Sequence, residues 1–191
     1  NALIVQNFAN NIPSDNITSL MKLDQNRAKS ILGNKLNQSV TEISQLVVWG
    51  NHSATQFPDL NHAHVSNSNE HILSLDSNWV NDVFIPRVQK RGAEIIQHRG
   101  KSSAASAASA IYDHLNILIN GSNDWESMGI MRDNTYGISN EIFFSFPLKI
   151  LNSNISIINK LTINDQSMKY IKDTEKELLT ERDIIKNILK N

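Results

Sequence analysis

The sequence predicts an α+β domain in which helices pack on an antiparallel sheet. Several segments repeat apolar residues at the three- and four-residue spacing of an amphipathic helix, and short runs rich in β-branched residues lie between them. The chain has 191 residues, of which 40% are hydrophobic, and this is enough for one domain with a sizeable core. We therefore expect residues 1–191 to form a single domain.

The first half is predicted to hold one helix followed by short strands. Residues 17–36 carry apolar side chains at helical spacing, and Gly33 offers a break near their end. Residues 46–49 form a β-branched run that stops at Gly50, which is typical of a buried strand. Weak alternation over residues 53–75 favours short strands or a ribbon.

The second half is predicted to hold three helices and two strands. Ser77 is a candidate N-cap for the first helix, residues 101–118 form the second, and the third begins near Asp165. The apolar residues that support these helices are Val80, Phe84, Val88 and Ile95; Ala104, Ala105, Ala107, Ala108, Ala110, Ile111, Leu115 and Leu118; and Met168, Ile171, Leu178 and Ile185. The small residues of the second helix predict tight packing against a neighbouring backbone. Strands are predicted at residues 128–131 and 142–150.

Composition excludes several classes of function. The net charge is −1, so no electrostatic footprint for nucleic acid or an anionic membrane is visible. The chain lacks cysteine, which excludes disulfides, thiolate zinc sites and a cysteine nucleophile. The closest glycines are eight residues apart, so neither GxGxxG nor GxxxxGK[ST] can occur. His62 and His64, with His71 nearby, lack further ligands at the usual spacing, and we predict no metal site.

Two short segments hold candidate catalytic residues. Asp24 and Arg27 are three residues apart on a predicted helix and project from about the same face, as ordinary solvated ion pairs also do. His52 directly follows the predicted buried strand, where catalytic side chains are commonly displayed, although a loop histidine is more often structural. If Asp24 contacts His52, the carboxylate would fix the imidazole tautomer and favour its charged form. Such a pair suits general acid–base catalysis near neutral pH.

Gly92 and Ser102 mark a third candidate segment. The hydroxyl groups at the start of the helix that follows would ordinarily serve as N-caps. The GxSxG and HExxH signatures are absent, so a hydrolase has little support.

Two motifs carry a resemblance to a known family. Residues 23–28 read Leu-Asp-Gln-Asn-Arg-Ala, which resembles the Leu-Asp-x-Asn-Arg-Ala segment of malate dehydrogenases. Residues 49–53 read Trp-Gly-Asn-His-Ser and are similar to the active-site histidine segment of the cytosolic-type branch. Further similarities follow in the family's order at residues 89–93, 102–104, 127–129, 136–137 and 144–147. The combination is highly specific and covers nearly the whole chain.

The resemblance implies the C-terminal substrate domain of an NAD-dependent enzyme that interconverts malate and oxaloacetate. The family's proton-transfer histidine matches His52, its partner aspartate matches Asp24, and its carboxylate-binding arginine matches Arg27. The fold implied is that of the lactate/malate dehydrogenase C-terminal domain, without the N-terminal Rossmann domain.

The resemblance also implies secondary contacts and partners. Substrate contacts are expected at Gly92 and Ser102, and cofactor contacts at Leu23 and Asn51. A homodimer in the cytoplasm is expected, with no nucleic-acid or membrane partner. Because the chain opens on Asn1 and contains no dinucleotide fingerprint, we expect it to be cut from a longer protein whose preceding half binds NAD.

Two departures from the family and two alternatives accompany this interpretation. Met21 stands where the family motif usually has threonine, and the segment around residues 65–72 is shorter than the corresponding segment of the family.

A lactate dehydrogenase-like enzyme is one alternative, because it shares the His–Asp–Arg constellation. A non-catalytic oligomerisation or interaction module derived from the same domain is the other.

Overall fold

Five helices and eight strands make up the regular structure. The structure is a computed structural model that describes residues 1–9, 11–66, 72–132 and 134–189. The helices are α1 (Ala2–Phe8), α2 (Lys22–Leu36), α3 (Ile85–Arg99), α4 (Ala104–Asn120) and α5 (Asp165–Leu189). The strands are β1 (Ser19–Leu20), β2 (Ile43–Ser44), β3 (Val47–Trp49), β4 (Phe57–Asp59), β5 (His64–Val65), β6 (Glu126–Ile130), β7 (Phe144–Leu151) and β8 (Asn154–Ile157).

The strands form a four-stranded antiparallel sheet and two small ribbons. The sheet has the order β1-β6-β7-β8, while β2 pairs with β5 and β3 pairs with β4. Gly50, just after β3, exchanges two backbone hydrogen bonds of 3.0 Å with Ser145 of β7. The predicted α+β architecture, with helices on an antiparallel sheet, is thus confirmed.

The core lies on both faces of the central strands. All five residues of β6 are buried, and neighbouring side chains of a strand point to opposite faces, so both faces are covered. The helices α2 and α4 pack together beside this sheet, and α5 packs against β4. The largest fully buried side chains include Trp49, Phe84, Phe144 and Phe146.

A buried glutamine fixes α2 against the strands. Gln25 is fully buried, and its amide nitrogen donates to the carbonyl oxygens of Leu46 and Trp125, both at 2.9 Å. Its side-chain oxygen accepts from the Ser127 backbone N–H at 3.3 Å. Because a buried amide must have its donors and acceptor paired, these three bonds define the rotation of α2 about its axis.

The structure differs from the predictions at the starts of α2 and α3 and at one strand that was not predicted. The helix α2 begins at Lys22 and not at residue 17, because Ser19–Leu20 pair with β6 as strand β1. A π-type turn at Trp79–Phe84 leads into α3, and the Asp76 side chain accepts the Asn78 N–H there, so Ser77 is not the cap. The prediction also missed β8.

The inward face of α4 includes residues outside the predicted apolar set. Ala110, His114 and Ile117 are buried, whereas Ile111 and Leu115 are 48% and 52% exposed. The predicted pattern did not say which of its apolar residues face the domain, and Ile111 and Leu115 face outward. The helix is apolar on nearly all sides, so the apolar pattern alone does not identify the side that meets α2.

Two expectations fall wholly or partly outside the described residues: His71, and the shortened segment at residues 65–72, of which residues 67–71 are not described. In the described part of the chain, no helix has both the length and the apolar character needed to cross a bilayer.

Candidate active site

Helix α2 carries the first two candidate residues on one face. Asp24 lies in its first turn and is completely buried, and Arg27 follows one turn later with 14% of its side chain exposed. The Arg27 Nη1 atom lies 3.4 Å from Asp24 Oδ1. Gln25, between them in sequence, holds the helix so that this face points away from the core strands.

His52 reaches Asp24 from the loop after β3. Its Nδ1 lies 2.5 Å from Asp24 Oδ2 and donates to the carboxylate. The predicted contact between these two residues, 28 positions apart in sequence, is present. The imidazole is 60% exposed, whereas the carboxylate is 1% exposed. Nε2 is therefore the ring nitrogen left for another molecule.

Gln56 completes the partners of Asp24. Its Nε2 lies 3.3 Å from Asp24 Oδ1, and its backbone oxygen accepts from Gln89 Nε2 of α3 at 2.9 Å. The buried carboxylate thus accepts from an imidazole, a guanidinium and an amide, which offset the cost of burying its charge. Sequence reasoning quoted Gln56 in the histidine motif without giving it a role.

The carboxylate changes the titration of the imidazole. The hydrogen bond from His52 to Asp24 raises the pKa of His52 above its ordinary value of 6.5, against the opposing effect of partial burial. The negative charge of Asp24 raises this pKa further, and the positive charge of Arg27 lowers it. The net rise keeps more of the imidazole protonated near neutral pH.

Arg27 meets the segment that joins α3 to α4. Its Nη2 lies 3.3 Å from the hydroxyl oxygen of Ser103, and a side chain added at Gly92 would place its Cβ 3.8 Å from Arg27 Nη1. Gly92 therefore adjoins the guanidinium, as the prediction of a shared site requires. Ser102 is exposed beside this contact, and it is Ser103 that touches Arg27.

The candidate residues line two hollows. His52, Gly50 and Asn51 border a hollow of about 670 Å³ that is also lined by α1 and α5. Arg27 and Leu23 border another of about 590 Å³, whose lining includes Arg87 and Arg91 and no carboxylate. The two predicted cofactor contacts, Leu23 and Asn51, thus lie in different hollows.

Helix α5 supplies residues that sequence reasoning missed. Asn51 donates its backbone N–H to Thr174 Oγ1 at 2.9 Å and its side-chain amide to Glu177 at 3.1 Å and Glu181 at 2.9 Å. These three residues of α5 are spaced three and four apart and so share one helix face. The signal for these contacts in the sequence is a helix face that mixes threonine with glutamate.

Two of the histidines considered for metal binding, His62 and His64, lie among the described residues. His64 is exposed on β5, and the ring of His62 lies 6.0 Å from that of Trp125. Among residues 1–9, 11–66, 72–132 and 134–189, no group of three His, Cys, Asp or Glu side chains is arranged to hold a metal ion.

The arrangement is suited to proton transfer beside an anion. An imidazole oriented by a buried carboxylate can take a proton from a hydroxyl group and return it. Arg27 lies one helical turn after Asp24. Its guanidinium can bind a planar anion through two parallel hydrogen bonds.

Comparison with known proteins identifies similar sequences and folds. A family model described as lactate/malate dehydrogenase, alpha/beta C-terminal domain, matches residues 21–189. Malate dehydrogenase from Naegleria fowleri is 39% identical with a TM-score of 0.92, over 97% of this chain and 57% of that one. Lactate dehydrogenase from Trichomonas vaginalis, solved in complex with NADH and oxamate, is 32% identical with a TM-score of 0.93, over 98% of this chain and 59% of that one.

A third solved structure is similar in fold. Malate dehydrogenase from Plasmodium falciparum is 21% identical with a TM-score of 0.81, over 95% of this chain and 58% of that one. The chain thus spans less than two thirds of the length of each of these three solved chains.

Proposed function

The chain belongs to the lactate/malate dehydrogenase family, and we propose that it is the substrate domain of an NAD-dependent malate dehydrogenase. The observation that carries the proposal is the Asp24–His52 contact, with Arg27 one turn further along the helix of Asp24. In this proposal residues 1–191 are the C-terminal domain of a longer protein, and the first fifteen or so residues follow directly on the NAD-binding domain.

His52 transfers the proton in the proposed reaction. During malate oxidation its Nε2 accepts the proton of the C2 hydroxyl group, and during oxaloacetate reduction it returns that proton to the carbonyl oxygen. Asp24 holds Nδ1, which fixes the tautomer and stabilises the imidazolium form. Oxaloacetate accordingly binds best to the protonated form of the pair, since only that form can donate to its C2 oxygen.

Arg27 orients the substrate. Its two terminal nitrogens bind the C1 carboxylate in parallel, which holds C2 next to His52. In the structure these nitrogens make hydrogen bonds of 3.4 and 3.3 Å to Asp24 and Ser103, longer than ordinary charge-assisted bonds. These two bonds therefore orient the guanidinium, and its N–H groups remain available to bind an anion. Gly92 and Ser102 are proposed to contribute to the same substrate pocket.

The chain's own residues do not make a complete dinucleotide site. Its closest glycines are eight residues apart, too far for a phosphate-binding loop, and Leu23 and Asn51 line separate hollows. We therefore place most of the NAD site outside this chain, with Leu23 and Asn51 as contacts at its edge. When bound, NAD supplies the hydride acceptor; this chain supplies proton transfer and orientation.

Malate is proposed over lactate on sequence similarity. The Trp-Gly-Asn-His-Ser segment at residues 49–53 resembles the active-site histidine segment of cytosolic-type malate dehydrogenases. In addition, the identity to the Naegleria malate dehydrogenase is 39%, against 32% for the Trichomonas lactate dehydrogenase. The cytosolic-type branch and a cytoplasmic location are proposed on the same segment.

A homodimer is proposed on the outward face of α4. Ile111, Tyr112, Leu115 and Ile119 lie on this face and are between 48% and 69% exposed. A continuous apolar helix face is typical of a contact surface. The symmetric pairing of two such faces would bury it without any further partner.

The test is an assay of the protein expressed from its complete reading frame. NADH oxidation is followed with oxaloacetate and, separately, with pyruvate, and the 191-residue chain serves as the control. Fast turnover of oxaloacetate by the complete protein alone supports the proposal. Preference for pyruvate makes the enzyme a lactate dehydrogenase, and turnover of neither substrate favours an interaction module.

A further inference from the structure

A polar seam joins α5 to the loop that carries His52. We define this seam as Asn51, Ser53 and Thr55 of the loop with Thr174 and Glu177 of α5. The Asn51 backbone N–H donates to Thr174 Oγ1 at 2.9 Å, and the Thr55 hydroxyl lies 3.0 Å from the same oxygen. The residues on either side of His52 are therefore tied to a helix more than 120 positions later in the chain.

Glu177 is the common acceptor of the seam. Its Oε2 accepts from Asn51 Nδ2 at 3.1 Å and also from the hydroxyl groups of Ser53 and Thr55. An ionised carboxylate has only acceptor sites, so it can satisfy all three donors together. A glutamine would offer the same three donors one neutral oxygen, which is a weaker acceptor than the ionised carboxylate.

The charge state of Glu177 agrees with this role. Partial burial alone would raise its pKa, but the hydrogen bonds from Ser53, Thr55 and Asn51 outweigh burial and hold the pKa below the ordinary value. The carboxylate is thus ionised across the neutral range.

The seam holds the two residues that flank His52, and His52 itself is not one of its members. Asn51 and Ser53 are fixed to Glu177, whereas the His52 ring points to Asp24 of α2. A histidine held at both flanks has few directions available, and one of them gives the 2.5 Å contact with Asp24. Without the seam, the loop would lose conformational entropy each time it adopts this orientation for the reaction.

We propose that Glu177 is a positioning residue that holds the His52 loop in the one orientation in which His52 meets Asp24. Glu177 does not touch substrate in this proposal and acts only through Asn51, Ser53 and Thr55. The inference rests on the proposed function for its effect on turnover, but the orientation of His52 can be measured without turnover.

The experiment compares Glu177→Gln with Asp173→Asn in the complete protein. Asp173 is an exposed carboxylate one turn earlier on α5, so its variant controls for the loss of one charge on this helix. Two quantities are measured: the kcat/KM for oxaloacetate, and the titration of the His52 ring by NMR with ¹³C-labelled histidine. Among the described residues, the titratable or charged side chains near the ring and the loop are Asp24, Arg27, Glu177, Glu181 and Arg182, and the Asp173 control leaves all five in place.

We expect Glu177→Gln to lower kcat/KM at least tenfold, with the KM for NADH unchanged. The His52 titration should move down toward its ordinary value, because the contact with Asp24 is no longer maintained. Asp173→Asn should leave both quantities within twofold of wild type. Ser53→Ala removes a single donor and should shift the His52 titration in the same direction by less, which provides a test if Glu177→Gln does not fold.

An unchanged His52 titration in Glu177→Gln or, where that variant is unfolded, in Ser53→Ala overturns the positioning role. If the wild-type protein has no dehydrogenase activity, the proposed function fails instead. The titration then decides the positioning role by itself.

Discussion

Thr174 occupies the space in which a side chain at Gly50 would lie. A Cβ atom built on Gly50 would come within 2.1 Å of the Thr174 methyl group and 2.3 Å of its hydroxyl oxygen. Gly50 also has a φ of +91°, in the region that residues with a side chain rarely adopt. The glycine in the Trp-Gly-Asn-His-Ser segment is thus explained by the approach of α5 and by the turn that leads to His52.

Gly50→Ala is expected to destabilise the protein by about 1–3 kcal/mol, because the new methyl group overlaps Thr174 and the backbone is strained. Urea unfolding measures the change. Thr174→Ala in the same chain should recover part of the loss, since two of the three close atoms are removed. If wild type and Gly50→Ala are equally stable, Thr174 of α5 does not limit the space for a side chain at this position.

His52→Asn is expected to reduce the kcat of the complete enzyme by a factor of about 10²–10⁴, the usual contribution of a general acid–base group. NADH binding, followed by fluorescence, should stay within twofold of wild type. His98→Asn changes an exposed histidine near the end of α3 and should have no effect. A kcat for His52→Asn within tenfold of wild type would remove His52 from proton transfer.

Arg27→Lys is expected to lower kcat/KM for oxaloacetate about 10–100-fold, because one ammonium group cannot make the two parallel hydrogen bonds of a guanidinium. Arg99→Lys, at the exposed end of α3, is the matched control. Steady-state kinetics at fixed NADH measure both. If the two variants have the same kcat/KM, the carboxylate is bound by another residue.

His114 is expected to make stability depend on pH. It is 7% exposed, and its Nε2 lies 2.8 Å from Thr18 Oγ1. Burial, followed by the charge of Lys22, lowers its pKa below 6.5, so the unfolded chain binds more protons than the folded chain below that pH. This contribution is complete above pH 6.5 and is lost as the pH falls toward the folded-state pKa.

His114→Gln should therefore show a flatter dependence of stability on pH below 6.5 than wild type does. The difference in slope should not exceed about 1.4 kcal/mol per pH unit, the limit for one proton. Denaturant unfolding at several pH values measures it. Parallel curves for the two proteins would mean that His114 titrates normally in the folded state.

Leu115→Glu is expected to weaken self-association at least tenfold, because the proposed pairing of α4 faces would bury an unpaired charge. Leu151→Glu provides a control at a leucine of β7 with almost the same exposure, 54% against 52%. Sedimentation of the complete protein reports the mass of each. If only Leu151→Glu dissociates, or neither does, the α4 face is not the contact.

Amphipathic elements were predictable where one side of a helix is clearly polar. Phe84, at the end of the π-type turn, and Val88 of α3 are buried because their positions oppose a charged face. The exposed side of α4 that carries Ile111 and Leu115 could not be identified from sequence, because α4 is apolar on both sides and only the tertiary partner decides which side is covered. The strand β8 was missed because its four residues, Asn-Ile-Ser-Ile, are too few to show a clear alternating pattern, and pairing with β7 is what places them in the sheet.

Within the candidate site, the sequence predicted the catalytic candidates but not the residues of α5 that hold them in place. The Asp24–His52 contact could be inferred because both lie in recognisable motifs. The ties from Thr174 and Glu177 could not, since a glutamate on a charged helix face looks the same in sequence whether it faces water or a loop. Ser103, and not Ser102, meets Arg27; both residues precede Ala104, the first residue of α4, so helical spacing could not predict which of the two hydroxyl groups reaches the guanidinium.

The contacts of the seam also have a consequence for synthesis of the chain, because they can form only after α5 has been translated. Asn51 and Thr174 are separated by 123 positions, so the loop that bears His52 leaves the ribosome long before the helix that restrains it. Contacts over such separations close late, after the local helices have formed. A nascent chain ending before Asp165 would contain Asp24, Arg27 and His52 and still lack the restraint on the histidine loop. We therefore expect formation of the Asp24–His52 contact to be tied to translation of α5, and prematurely terminated chains to contain both residues without a fixed direction for the histidine.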